Sequence, residues 1–272
     1  MNAIERNAAF THEIEKLRSE PVPSSFHTHS TFCDGRDEPE AIVQEAIRLG
    51  CPALGFSSHA PVAARDHLPN ETVEEAICRN EAHLAEYRDC IRGLKEKYAD
   101  QIRIYLGIEQ DYYSETAADE YEYVIGSVHL VRCGDKFISV DGNRERFERE
   151  VQTYFNGDYY AVAEEYYRLI AQIYEKTQCS IIGHFDLVTK FNEGGRLFST
   201  SHPRYRAAAE RALDTLIQTP AIFEWNYGAI WRGYRTEPYF EDWMLEKLKT
   251  AGKKLLKTSD CHRLDKLLFG MR

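Results

Sequence analysis

The sequence has no apolar run long enough to cross a bilayer, because charge interrupts every such run within about a dozen residues. A spanning helix needs about 20, so no membrane partner is expected. The opening MNAIERNAAFTHEIEKLRSE carries charges of both signs around no apolar core, which does not suit a secretory signal. The seven cysteines (Cys33, Cys51, Cys78, Cys90, Cys133, Cys179, Cys261) form no CxxC pair and no compact disulfide framework. An odd, scattered set of this kind fits a reducing cytoplasm. A basic excess is also missing: the formal net charge is −10, which argues against non-specific nucleic-acid binding. Internal repeats, low-complexity tracts and Pro/Gly/Ser-rich linkers are absent, so residues 1–272 are read as one domain.

Apolar residues make up 43% of the chain, enough to build a buried core. Short β-rich segments are expected at 24–29, 53–59, 102–112, 123–130, 179–187, 221–226 and 253–260. Helical periodicity covers 38–49, 71–99, 158–176, 203–218 and 240–250. Helix 38–49 has Pro39 in its first turn and Gly50 just beyond its end. Repeated strand–helix alternation predicts an α/β fold with a mostly parallel sheet, open or closed into a barrel.

Metal-ligating residue types stand at the C-terminal ends of these strands: His27 and His29, His59, Glu109, His129, His184, Glu224, then Asp260 and His262. That rim is where α/β barrels carry their functional groups. His27 and His29 are two apart on an extended segment and so share a face, as do Asp260 and His262. Asp34 follows in a loop next to Gly35. Any one of these histidines is as easily a packed core residue. Six of the ten histidines gathered at strand ends beside Glu109, Asp34 and Asp260 point to a metal site. Imidazole with carboxylate, and no cysteine at matching positions, suits Zn, Mn or Fe. Nine ligands exceed the three or so that one catalytic ion uses, so two or three divalent ions are expected. Cys261 lies between two ligands, but alternation points it away, and it is read as packing.

The ordered motifs HTHSTFCDG, FSSHAP, GIEQDY, GSVHLV, GHFDL, EWN and TSDCH resemble the polymerase-and-histidinol-phosphatase (PHP) family across nearly the whole chain, and its stand-alone histidinol-phosphatase branch most. That resemblance implies a distorted seven-stranded (β/α)7 barrel with a trinuclear site. His27, His29, Glu109 and Asp260 would hold one ion. Glu109 would bridge to a second, shared with His129 and His184, and Asp34, His59 and His262 would hold a third. Glu224 is expected to support ligands rather than bind metal. The family's second motif often reads Asp-His where this chain has Ser58-His59, a change expected to touch the ligands' support and not the ligands.

The implied activity is hydrolysis of L-histidinol phosphate to L-histidinol and phosphate by a metal-bridging hydroxide, with no covalent nucleophile on the protein. A phosphate dianion also invites a planar guanidinium. Arg235 is the favoured candidate, with Arg232, Arg196 and Lys190 behind it, and Trp231 and Tyr227 either face the imidazole or pack the loop. Three alternatives stay open at this point: another small phosphate ester or nucleotide as substrate, a related barrel hydrolase cleaving C–N bonds, and a non-catalytic metal-binding module.

Overall fold

The computed structural model describes residues 2–62 and 81–272. Helix α1 (Ala3–Leu17) opens the chain, and α2 (Pro39–Arg48) precedes strand β1 (Ala53–His59). Then come α3 (Glu81–Lys97), β2 (Arg103–Asp111), β3 (Tyr123–Ser127) and a hairpin of β4 (Leu130–Cys133) and β5 (Lys136–Ser139). Helices α4 (Arg144–Tyr154), α5 (Tyr159–Ile170) and α6 (Ile173–Thr177) lead to β6 (Ile181–Ile182). The chain finishes with α7 (Pro203–Ile217), β7 (Ile222–Asn226), α8 (Gly228–Trp231), α9 (Asp242–Thr250) and β8 (Leu255–Thr258). Part of the helix expected over 71–99, residues 71–80, lies outside the described residues.

Six strands form one parallel sheet in the order β1-β2-β3-β6-β7-β8. The seventh expected strand, 24–29, is not a continuous ladder. It makes one parallel bridge to each edge of the sheet, Ser25 to Leu54 of β1 and Thr28 to Cys261 just past β8. Four backbone hydrogen bonds fasten it: Gly55 and Ser57 donate to Ser25 and Thr28, while His29 and Cys261 exchange bonds with Cys261 and His27, at 2.7–2.9 Å. The edges of the curled sheet are therefore tied through this segment. Pro21 and Pro23 just before it carry no amide donors, which limits how far a ladder can extend.

Other boundaries shift too. The 123–130 segment divides at Ser127, its remainder entering the unforeseen β4–β5 hairpin, and helix 158–176 breaks between Ile170 and Ile173. The 179–187 segment keeps only Ile181–Ile182 as strand.

Alternation along the strands sorts the side chains into two layers. Even-numbered Leu54, Ile104, Leu106, Val124 and Ile182 pack outward under the helices in the main core. On the opposite face Ala53, Tyr123, Ile125, Ile181 and Ile222 form a second cluster with Phe26 and with Phe10, Ile14 and Leu17 of α1. Helix α1 thus closes one end of the sheet. Its start is fixed by a capping box, in which the Asn2 side chain accepts from the Glu5 amide (2.9 Å) and Glu5 accepts from the Asn2 amide (3.2 Å).

Tyr123 is the keystone of this inner layer. It is fully buried, stacks on Phe10 with centroids 4.8 Å apart, and donates its hydroxyl to the carbonyls of Phe26 and Phe56, both at 2.9 Å. Gly107 makes room for it: a Cβ there would lie 2.2 Å from the phenol ring. Tyr123→Phe is expected to cost about 1–3 kcal/mol, since two buried carbonyls lose a donor. The loss should show as a lower urea midpoint at unchanged slope, and an unmoved midpoint would contradict it.

Candidate metal centre

Further along the same inner face the strands change character. Positions 105, 107, 109 and 111 of β2 read Tyr, Gly, Glu, Asp, and 222, 224 and 226 of β7 read Ile, Glu, Asn. Apolar residues seat the α1 end, and acids or imidazoles gather at the C-terminal end. There the Glu109 carboxylate, 1% exposed, is ringed by five imidazoles. Its Oε2 lies 3.2 Å from His27 Nε2, 3.4 Å from His29 Nε2 and 3.1 Å from His59 Nδ1. Its Oε1 lies 3.4 Å from His129 Nε2 and 3.0 Å from His184 Nε2. Asp34 brings Oδ1 to 3.1 Å from His262 Nε2 and 3.5 Å from His59 Nε2. Asp260 Oδ1 stands 3.8 Å from Nε2 of both His27 and His29.

All nine candidate ligands fall into four overlapping groups whose ligand atoms lie within 4.8 Å of one another. These are His29, Asp34, His59 and His262; His27, Glu109 and His184; His27, His29 and Asp260; and His59, Glu109 and His129.

The donor set fits divalent cations. His27 Nε2, His29 Nε2, Asp34 Oδ1 and Glu109 Oε2 are buried without a hydrogen-bond partner although they converge. Each such atom costs roughly 1–3 kcal/mol unsatisfied, and a cation among them would satisfy several together. Electrostatics agree. Burial opposes ionisation of Glu109, but His27, His59 and His129 hold it well below the usual carboxylate range. Burial likewise opposes protonation of His129, yet Glu109 and Asp111 push it up to about 10. His27 is also raised, against its burial, by Glu224, Glu109 and Asp260. A field that favours a proton at these imidazoles would favour a metal cation in its place.

Supporting residues orient the ligands. Glu224 is fully buried and hydrogen-bonds His27 Nδ1 through Oε1, while its Oε2 accepts from the His184 amide at 2.6 Å. Thr258 donates to it at 2.6 Å. Asp111 accepts from the His129 amide at 2.7 Å and lies 3.3 Å from that ring's Nδ1. It escaped the sequence reading, although its place two residues after Glu109 puts it on the same face. Cys33 was also missed as a neighbour: its Sγ lies 3.2 Å from His29 Nδ1. Ser58 is buried, its Oγ without a hydrogen-bond partner. Cys261 is buried away from the cluster, its thiol donating to the Arg263 carbonyl at 3.0 Å. Asp260 sits in the left-handed region at φ 48°, a conformation a non-glycine residue adopts at some cost and which is found most often at functional sites.

The four cationic candidates separate. Arg232 joins the cluster, donating to Asp260 Oδ2 at 3.0 Å and Oδ1 at 3.1 Å, with Nη2 2.7 Å from His262 Nδ1. Lys190 is buried and bonded to the carboxylate and carbonyl of Asp141. Arg235 is bonded to Thr189 and to the Glu237 carbonyl. Arg196 is half-exposed and paired with Glu148 at 2.8 Å. Trp231 donates to the Ser259 carbonyl at 2.8 Å, and Tyr227 packs against Trp225.

A parallel sheet carrying a buried histidine–carboxylate cluster at its C-terminal rim defines an α/β protein of metal-centre type. The PHP domain model matches residues 25–227, and the chain belongs to that family. The chain is 28% identical over 257 residues to histidinol-phosphatase of Bacillus subtilis (strain 168), covering 87% of this chain and 92% of that protein. It is also 28% identical to a Schizosaccharomyces pombe protein named "Probable histidinol-phosphatase", covering 89% and 81%. Among solved structures, a histidinol phosphate phosphatase from Lactococcus lactis in complex with zinc, L-histidinol and phosphate superposes with a TM-score of 0.61 at 21% identity, covering 89% of this chain and 86% of that one. A Listeria monocytogenes chain with a provisional histidinol phosphatase label reaches 0.77 at 20% identity, covering 91% and 98%. These two likenesses establish the fold.

Replacing Glu224 by Gln removes the charge behind His27 while keeping the shape. It is expected to lower metal affinity about 10–100-fold, measured by competition with a chelator. Wild-type affinity in the variant would show that His27 needs no such support.

Proposed function

We propose that the chain is a metal-dependent phosphomonoesterase that hydrolyses L-histidinol phosphate to L-histidinol and phosphate, a step of histidine biosynthesis. The observation that carries this reading is the nine-residue cluster around Glu109, six of its members buried and Asp34, His59 and His262 partly exposed, in a chain of the PHP family. The substrate follows from the curated relative of Bacillus subtilis, which aligns along most of both chains. In this reading residues 1–272 make one catalytic domain, and the segment 24–29 acts as the seventh strand of a closed (β/α)7 barrel. A cytoplasmic setting accords with the unpaired cysteines among the described residues.

His27, His29, Glu109 and Asp260 would hold one ion, Glu109 with His129 and His184 a second, and Asp34, His59 and His262 a third, each Zn, Mn or Fe. When bound, such ions lower the pKa of water towards ~7 and neutralise charge on a phosphoryl group. The protein's own part is placement. Glu224 and Asp111 orient His27 and His129, so that each ring presents Nε2 to Glu109. Arg232 is fixed on Asp260 and His262, which keeps a guanidinium at the edge of the cluster where a phosphate dianion would lie. Gly228 permits this approach: a Cβ there would lie 2.5 Å from Arg232 Nη1 and 2.7 Å from Asp260 Oδ2.

Phosphate release from L-histidinol phosphate, compared with a panel of sugar phosphates and nucleotides, tests the proposal. Chelated protein and His29→Ala serve as controls. Preferred release from L-histidinol phosphate, lost in both controls, is expected. A preference for another ester would replace the substrate, and undiminished activity after chelation would remove the metal chemistry.

A further inference from the structure

We infer that Arg36 is a phosphate-binding residue, which with Arg232 and Arg263 forms an anion-holding wall at the Asp34–His262 corner of the centre. This rests on the phosphoester reading above and adds a residue that the motifs did not single out. A pocket of about 400 Å³ opens at that corner, with Asp34 and His262 on one side and Arg36, Arg232, Arg263 and Trp231 around it. Three arginines therefore line one small cavity in a chain whose net charge is −10. A general cationic surface does not account for that.

The wall is held in shape by its backbone. The Arg36 amide donates to the His262 carbonyl at 2.9 Å, and the Leu264 amide donates to Asp37 Oδ2 at 2.8 Å. Within the first loop, the Thr31 amide donates to the Asp37 carbonyl at 3.1 Å. The loop that carries Asp34 is thereby stitched to the loop that carries His262, so Arg36 is anchored on one ligand residue two positions after another. Gly35 allows the tight path, since a Cβ there would lie 2.4 Å from the Ser30 nitrogen.

The three arginines differ in what they have left to give. Arg232 is engaged by Asp260 and His262. Arg263 is paired with Asp265 at 3.1 Å. Arg36 makes no side-chain ion pair or hydrogen bond among the described residues, so its planar fork is free for a phosphate group. Its exposure places it at the mouth of the pocket, where it would meet an incoming dianion before the buried cluster does.

The test uses full-length, manganese-loaded protein and inorganic phosphate, with affinity read by calorimetry and metal content by elemental analysis. Arg36→Ala is expected to weaken phosphate binding about tenfold at unchanged metal content. Arg36→Glu should weaken it further, and Arg36→Lys should fall between Ala and wild type, because a point charge restores attraction without the fork. Wild-type affinity in Arg36→Ala would overturn the assignment, and so would a loss of bound metal in that variant, which would make Arg36 a support of the centre. Absence of phosphate binding by the wild-type protein would overturn it as well. Phosphate binding that depends on Arg36, in a protein that releases nothing from L-histidinol phosphate, would instead sink the proposed substrate and leave Arg36 in place.

Discussion

One carboxylate organises the site. Glu109 faces five imidazoles delivered by four separate stretches of chain, and neither of its oxygens is more than 3.4 Å from the rings it faces. A buried carboxylate without compensating positive charge is expensive, so the strand that bears it is tolerable only with cationic partners around it. Those partners come from 27–29, β1, the turn after β3 and the turn after β6, so the sheet must curl for them to meet. The demand for charge compensation at one residue and the curvature of the sheet are two sides of the same constraint.

The inner face divides accordingly. Toward α1 it is aromatic and aliphatic, with Tyr123, Phe26 and Phe10 packed edge-on or stacked beneath the polar layer. At the other end Asp260 adopts a left-handed backbone conformation and several buried polar atoms lack partners. Stability is concentrated in the apolar layer and strain in the polar layer. A site built for cations tends to have this division, because its ligands cannot also satisfy one another.

Much of this was legible in the sequence. Period-two spacing placed His27 with His29 and Asp260 with His262 on shared faces, and the nine proposed ligands all meet in the structure. Parallel strands with intervening helices were readable from alternation. Long-range relations were harder to see. Nothing local distinguishes Arg232, which reaches Asp260, from Arg235, which turns to Thr189, because that choice depends on the turn of the short helix α8. Asp111 looks like any acid at a strand end until His129 is brought beside it. The 24–29 segment has the residues of a strand, but its pairing switches from one sheet edge to the other, a property of how the six-stranded sheet curls and not of its own composition. The β4–β5 hairpin was hidden because its short strands flank a ligand turn that reads as a continuation of β3.

The most direct test of the account is a metal titration of stripped protein, following phosphate release from L-histidinol phosphate against equivalents of ion bound. The proposed sharing of Glu109 between two ions predicts that activity rises to its plateau only as the second or third equivalent binds. Full activity at a single equivalent, or activity before any ion is added, would contradict it.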